Sequence, residues 1–204
     1  MRKVEDVNEN FFQKNLKNLN ENFNISGIKI GAISSNKIVE SASKFLDKFK
    51  KIPVVIDPII EAGGGGKFIK KQNINFSITK LYPKATLLTP NLNELKILSG
   101  CKTEKDSINS LLDLGIKNIF VTGKSRKNEV ISTLFVNGIK ELDVKAKKIS
   151  KTFHGSGCAL STSILCNFIK TKDLKESCLN ANEYMRKILK NSIKTKNQDF
   201  INFS

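Results

Sequence analysis

A chain of 204 residues with 39% apolar and 7% aromatic content is long enough for one α/β domain with a full core. No apolar run approaches the roughly 18–20 residues of a membrane span, and the N-terminal Met1-Arg2-Lys3-Val4-Glu5-Asp6 lacks a secretory core, so a cytoplasmic location is expected. The net charge of +16 comes from 32 lysines against 3 arginines, spread along the chain. Base and phosphate readers rely on arginine forks, which argues against a nucleic-acid partner and for a solvated surface that helps draw in phosphorylated ligands. Cys101, Cys158, Cys166 and Cys178 are spaced 57, 8 and 12 apart, and with one histidine the chain offers no zinc set and no compact disulfide framework.

Apolar residues at Val4, Val7, Phe11, Phe12, Leu16, Leu19 and Phe23 predict an amphipathic helix within residues 4–24. Residues 28–33 read as a strand, and Ser34-Ser35-Asn36 caps a helix to about Lys50. Pro53 turns the chain into Val54-Val55-Ile56-Asp57, the continuous apolar run of a strand buried in a parallel sheet. A short helix is expected over 74–81, a strand over 85–88, helices over 91–99 and 107–114, and a strand over 119–121 ending at Thr122-Gly123-Lys124. Asn137-Gly138 between two apolar runs predicts a two-residue β-hairpin. A helix then follows Gly157, with Ser156 as its cap, a last helix covers 173–194, and the final ten residues are expected to fray. Strands alternating with helices, then a hairpin, specify one α/β domain over 1–204: a three-layer αβα fold with a mainly parallel sheet and an antiparallel hairpin edge.

In such sheets ligands bind beyond the carboxyl ends of the strands, and four motifs fall there. Asp57 projects from a strand end, where a hard cation or its waters is one partner and a plain turn cap the other. The run Gly63–Gly66 reads as a loop. Asn91 and Glu94 share one side of a helical turn, suited to a metal-bound water and equally to a capping box. In His154-Gly155-Ser156-Gly157-Cys158, glycines free backbone amides at a helix start, where the dipole attracts phosphate and favours the thiolate of Cys158. His154 reads as a positioning or packing residue. Taken alone, the turn leaves phosphate binding and simple capping equally open.

Asp57-Pro58, Thr89-Pro90-Asn91-Leu92-Asn93-Glu94 and His154 to Cys158, in this order and separation, resemble the hydroxymethylpyrimidine and phosphomethylpyrimidine kinases of thiamine synthesis, within the ribokinase-like superfamily. The resemblance covers about residues 25–192. It implies ATP and Mg²⁺ as cofactors and a small pyrimidine as substrate. Cys158 would be the catalytic base, with an anion hole from the amides of Gly155, Ser156 and Gly157. Asp57, Asn91 and Glu94 would manage the metal and phosphates, Thr122 and Lys124 would face the nucleotide phosphates, and Gly31 and Ala32 the substrate.

Three departures from the family stand out. The glycine-rich Gly-Ser-Asp opening is absent, which reads as an N-terminal truncation and predicts a homodimer or another chain over the exposed sheet edge. Gly31-Ala32-Ile33 replaces Gly-Met-Leu beside the pyrimidine, and Val121-Thr122-Gly123-Lys124 replaces Val-Lys-Gly-Gly. These departures keep open a relative that binds nucleotide or phosphate without the pyrimidine site.

Overall fold

The computed structural model describes residues 7–33, 35–60, 71–149, 153–194 and 199–202. Six strands form one sheet in chain order: β1 (Ile28–Ile30), β2 (Val54–Ile56), β3 (Leu87–Leu88), β4 (Asn118–Arg126), β5 (Glu129–Val136) and β6 (Ile139–Lys147). The first four are mutually parallel, and β4, β5 and β6 are antiparallel, so the parallel sheet with an antiparallel hairpin edge is as read from the sequence.

The pleat sorts the two cores. Ile28, Ile30, Val54, Ile56, Leu88, Ile119 and Val121 face a cluster built with α2 (Asn36–Leu46), α3 (Lys71–Lys80), α4 (Leu92–Ser99) and α5 (Glu104–Asp113). The alternate residues Val55, Leu87, Phe120 and Leu134 face α6 (Ser156–Thr171) and α7 (Leu174–Lys190) through Ile164, Leu165, Cys178 and Ala181. Strands buried on both faces need apolar residues at successive positions, which is why they read as continuous runs. Progression in one direction from β1 to β4 with right-handed crossovers puts the connecting helices on one face.

Local signals explain most boundaries. Thr103 accepts from the Asp106 amide and starts α5 three residues before the expected Ser107, and Asp173 does the same for α7 through Glu176. Gly100 ends α4 in the left-handed conformation, φ 70°. Asn137 and Gly138, with φ 50° and 78°, make the hairpin turn whose twist suits β5 and β6.

The structure differs from the sequence reading in several places. The first helix, α1, is Glu9–Asn22, with no buried residue; it rests on α2 through Phe12 and through Gln13 and Glu9 at Ser41, while Phe11, Leu19 and Phe23 stay exposed. Helix α2 stops at Leu46 and α7 at Lys190, short of the expected ends. Strand β4 runs on through Thr122, Gly123 and Lys124 into a second hairpin, with the register shifting between Val121 and Lys124. That bulge absorbs the glycine a regular strand would disfavour.

The C-terminal end pairs rather than frays at residues 199–202. Strand β9 (Asp199–Phe200) lies between β7 (Phe153–His154) and β8 (Ile193–Lys194), and Ile201 is buried with Met185 and Ile188. Local composition does not show this, because the pairing partner is some 45 residues upstream. The small sheet braces the turn that opens α6.

At the sheet's ends, the outer edges of β1 and β6 have no partner strand among the described residues. Lys140, Lys145 and Lys147 on β6 discourage edge-to-edge association.

Candidate functional site

Parallel strands β1 to β4 deliver Gly31, Asp57, Asn91 and Thr122 to one edge of the sheet. Asp57 follows β2 and is only 5% exposed. Its Oδ2 lies 3.4 Å from Ser161 Oγ and 3.8 Å from Lys29 Nζ. Burial pushes its pKa up; Lys29 opposes this most, followed by Cys158 and Ser161.

Helix α6 begins beside this carboxylate. Gly155, with φ 83°, occupies the cap position and no side chain caps the helix, which corrects the expectation that Ser156 does so. A left-handed cap favours glycine, and Ser156 becomes the first helical residue, its Oγ turned back to the Phe153 carbonyl at 3.4 Å. The first-turn amides of Ser156, Gly157 and Cys158 have no intrahelical acceptor, leaving a donor set at the positive end of the helix dipole. A Cβ on Gly157 would come within 3.8 Å of Asp57 Oδ2, so the turn passes close over the carboxylate.

Cys158 is half-buried and interacts with Asp57 and Lys29. Burial pushes its thiol up, Lys29 draws it down, and Asp57 raises it again. The helix dipole alone therefore does not set the thiol, contrary to the thiolate expected from sequence. Cys178 is fully enclosed and pushed up to about 12, whereas Cys166 is exposed.

Asn91 and Glu94 form the capping box. Asn91 Oδ1 accepts from the Asn93 and Glu94 amides, each at 2.9 Å, and Glu94 Oε2 accepts from the Asn91 amide at 2.9 Å. Thr122 bridges to Asn91 and donates its amide to the Pro90 carbonyl at 2.9 Å. Tyr82 is buried and feels both Glu94 and Asp57; its phenol is pushed well up, chiefly by burial.

The edge therefore carries two clusters: Lys29, Asp57, Cys158 and Ser161 at the ends of β1 and β2, and Asn91, Glu94 and Thr122 just past β3 and at the register shift of β4. With strands about 4.8 Å apart, β2 to β4 spans about 10 Å. Lys124 stands apart: its Nζ pairs with Glu104 at 3.0 Å and bonds to Thr133, which in turn donates to Asp143 at 2.6 Å. Gly31 lies just past β1 and Ala32 is exposed beside it. The glycine run at 63–66 and the side chain of His154 lie outside the described residues.

Lys29 and Tyr82 escaped the sequence reading. A signal existed for the first: in Ile28-Lys29-Ile30, alternation sends the lysine to the opposite face from two core isoleucines, where α6 covers it.

The family model described as phosphomethylpyrimidine kinase matches residues 1–201. The chain belongs to the phosphomethylpyrimidine kinase family. It is 29% identical over 188 residues to a hydroxymethylpyrimidine/phosphomethylpyrimidine kinase of Aquifex aeolicus, covering 89% of this chain and 74% of the relative. It is 26% identical over 186 residues to a pyridoxine kinase of Bacillus subtilis, covering 87% and 68%. Among solved structures, an ADP complex of Bacillus subtilis pyridoxal kinase superposes with a TM-score of 0.85 at 23% identity, over 98% of this chain and 78% of that one. As a member of this family the protein is a kinase with the ribokinase-like fold.

Proposed function

We propose that the protein is an ATP- and Mg²⁺-dependent phosphotransferase that phosphorylates hydroxymethylpyrimidine or its monophosphate for thiamine biosynthesis in the cytoplasm, the whole chain acting as one kinase domain. The observation that carries this reading is the uncapped opening turn of α6, holding Cys158 against Asp57 on the same edge as Asn91, Glu94 and Thr122.

In this reading the acceptor hydroxyl attacks the γ-phosphorus and its proton passes to Cys158, while the bond from phosphorus to the bridging oxygen of ADP breaks. The amides of Gly155, Ser156 and Gly157 receive the charge on the transferring group, acting chiefly by fixed position. Thr122 faces the nucleotide phosphates, and Gly31 and Ala32 face the acceptor. Among the described residues no cluster of three or more His, Cys, Asp or Glu side chains is placed to hold a metal alone. Mg²⁺ suits what is present, since it keeps several waters and is held by one or two carboxylates together with substrate phosphates. Asp57 would hold it, with Asn91 and Glu94 orienting its waters, and the ion would neutralise phosphate charge.

The test is transfer from ATP to hydroxymethylpyrimidine and to its monophosphate, with pyridoxal in parallel, read by mass spectrometry. Phosphorylated pyrimidine is the expected product. No product from any acceptor, with ATP still raising the melting temperature, would replace this reading by a second one, a nucleotide-binding relative without the pyrimidine site. The small, exposed Ala32 favours that second reading.

The reading extends to a homodimer in which a second copy covers the outer edge of β1, which has no partner strand among the described residues. Light scattering at low micromolar concentration should give twice the 22.8 kDa chain mass. A monodisperse monomer removes the dimer.

A further inference from the structure

Lys29 is placed where few lysines are. Its neighbours Ile28 and Ile30 pack into the core on the α2 side, so the pleat turns Lys29 toward α6. Gly27, two positions before it, lies against Leu165 and Ile169 of α6. The lysine side chain is 20% exposed. Burying that much of an ammonium is costly unless the charge meets a partner.

The side chain runs along β1 toward its carboxyl end. Its Nζ is 3.0 Å from where a Cβ on Gly31 would stand, so the glycine leaves room for the ammonium. It lies 3.8 Å from Asp57 Oδ2 and interacts with Cys158. A separation of 3.8 Å is longer than a close charge-assisted hydrogen bond of about 2.7–2.9 Å. Asp57 therefore balances the charge without using the donors of Lys29 tightly. Lys124, the cation that the sequence offers near this edge, lies within β4 and is engaged with Glu104 and Thr133.

We propose that Lys29 binds the anion at the opening turn of α6 directly, donating from Nζ to an oxygen of the transferring phosphoryl group while Asp57 holds it in place. The inference rests on the phosphoryl-transfer reading and adds a residue to it. The phosphoryl group would then sit between the helix amides on one side and a buried ammonium on the other. No proton leaves Lys29 in the step: the acceptor oxygen forms the new bond to phosphorus, the bond to the bridging oxygen of ADP breaks, and Cys158 takes the hydroxyl proton. The same arrangement favours a small residue at position 31, because a Cβ there would crowd the ammonium.

The test compares wild type with Lys29→Met, Lys29→Arg and, as a control of equal charge loss, Lys17→Met on the exposed face of α1. The first readout is the rise in melting temperature produced by inorganic tripolyphosphate. Lys29→Met should lose most of it, Lys29→Arg should keep a good part, and Lys17→Met should keep all. The second is kinetic, with ATP and hydroxymethylpyrimidine. Lys29→Met should lower kcat by about 10²-fold, the cost typical of removing one donor to a developing anion, and arginine should recover part of the loss. Gly31→Ala serves as a milder second variant; it displaces the ammonium by only a few tenths of an ångström and should lower kcat several-fold with the melting temperature unchanged.

An unchanged tripolyphosphate shift in a folded Lys29→Met protein overturns the proposal, as does an equal loss in Lys17→Met, which would assign the effect to the overall positive field. If wild type transfers phosphate and Lys29→Met does so equally well, the inference fails while the functional reading stands. If wild type transfers nothing but its tripolyphosphate shift depends on Lys29, the anion site stands and the functional reading fails.

Discussion

Replacement of Cys158 by alanine is expected to lower kcat for phosphate transfer by roughly 10²- to 10⁴-fold, the contribution of a positioned general base. The ATP-induced rise in melting temperature should persist, because the helix amides and the strand-end residues remain. The wild-type rate should also climb with pH through the neutral range. Burial holds the Cys158 thiol above its ordinary value despite Lys29, so the thiolate that accepts the proton is a minor species at pH 7 and grows with pH. A single-turnover assay across pH 6–9 measures this slope. A flat profile, or a Cys158→Ala enzyme within a few-fold of wild type, would remove Cys158 as the base and leave positioning and charge stabilisation as the whole of catalysis.

The second large effect concerns Asp57, and it runs in opposite directions for stability and activity. Asp57 is buried and its pKa is raised, so the folded protein holds the proton more tightly than the unfolded chain does. For a carboxyl with this sign, the ionised form carries a net cost in the fold, which appears as pH rises above the unfolded value of about 3.9 and is complete above the folded pKa. Asp57→Asn removes that cost. The variant should melt higher than wild type at pH 7, by about 2–4 °C for each kcal/mol relieved, and the advantage should vanish near pH 3. Its transfer activity should fall by roughly 10- to 100-fold, as for loss of a group that orients a metal and its waters. Thermal melts at both pH values beside an activity assay decide the matter. A variant less stable than wild type at pH 7 would show that the contacts to Lys29 and Ser161 outweigh desolvation.

Such a trade is expected where a catalytic group is kept in a place that packing alone would not choose. It also explains the company Asp57 keeps. Lys29, Cys158 and Ser161 each pull its pKa down, and none fully offsets burial.

Much of the site was legible because its parts depend on local chemistry. The capping box of Asn91 and Glu94 requires only a helix start three residues long, and the structure forms it with both bonds in place. The glycines around Ser156 announce a tight turn whatever surrounds them. The hairpin at Asn137 and Gly138 follows from two positive φ angles. The exchange of cap roles between Ser156 and Gly155 was not legible, because both residues serve as caps and the choice depends on how β7 enters the turn, which is set by pairing with β9 far along the chain. The state of the Cys158 thiol was equally hidden. A helix dipole can be read from sequence, but the burial and the neighbouring carboxylate that oppose it come from β2 and the packing of α6.

The sequence by itself determined the layered α/β architecture, the mainly parallel sheet with its hairpin edge and the edge on which chemistry-bearing residues gather, because hydrophobic period and turn residues act within a few positions of one another. Tertiary structure alone decided which of those residues meet. It brought Lys29 from β1, Asp57 from β2 and Cys158 from α6 into one partly buried cluster. It also tied Lys124 to Glu104 away from them. The reason is that charge partners and burial are properties of neighbours in space, and in the chain the members of this cluster on α6 lie about a hundred residues or more from Asp57 and Lys29.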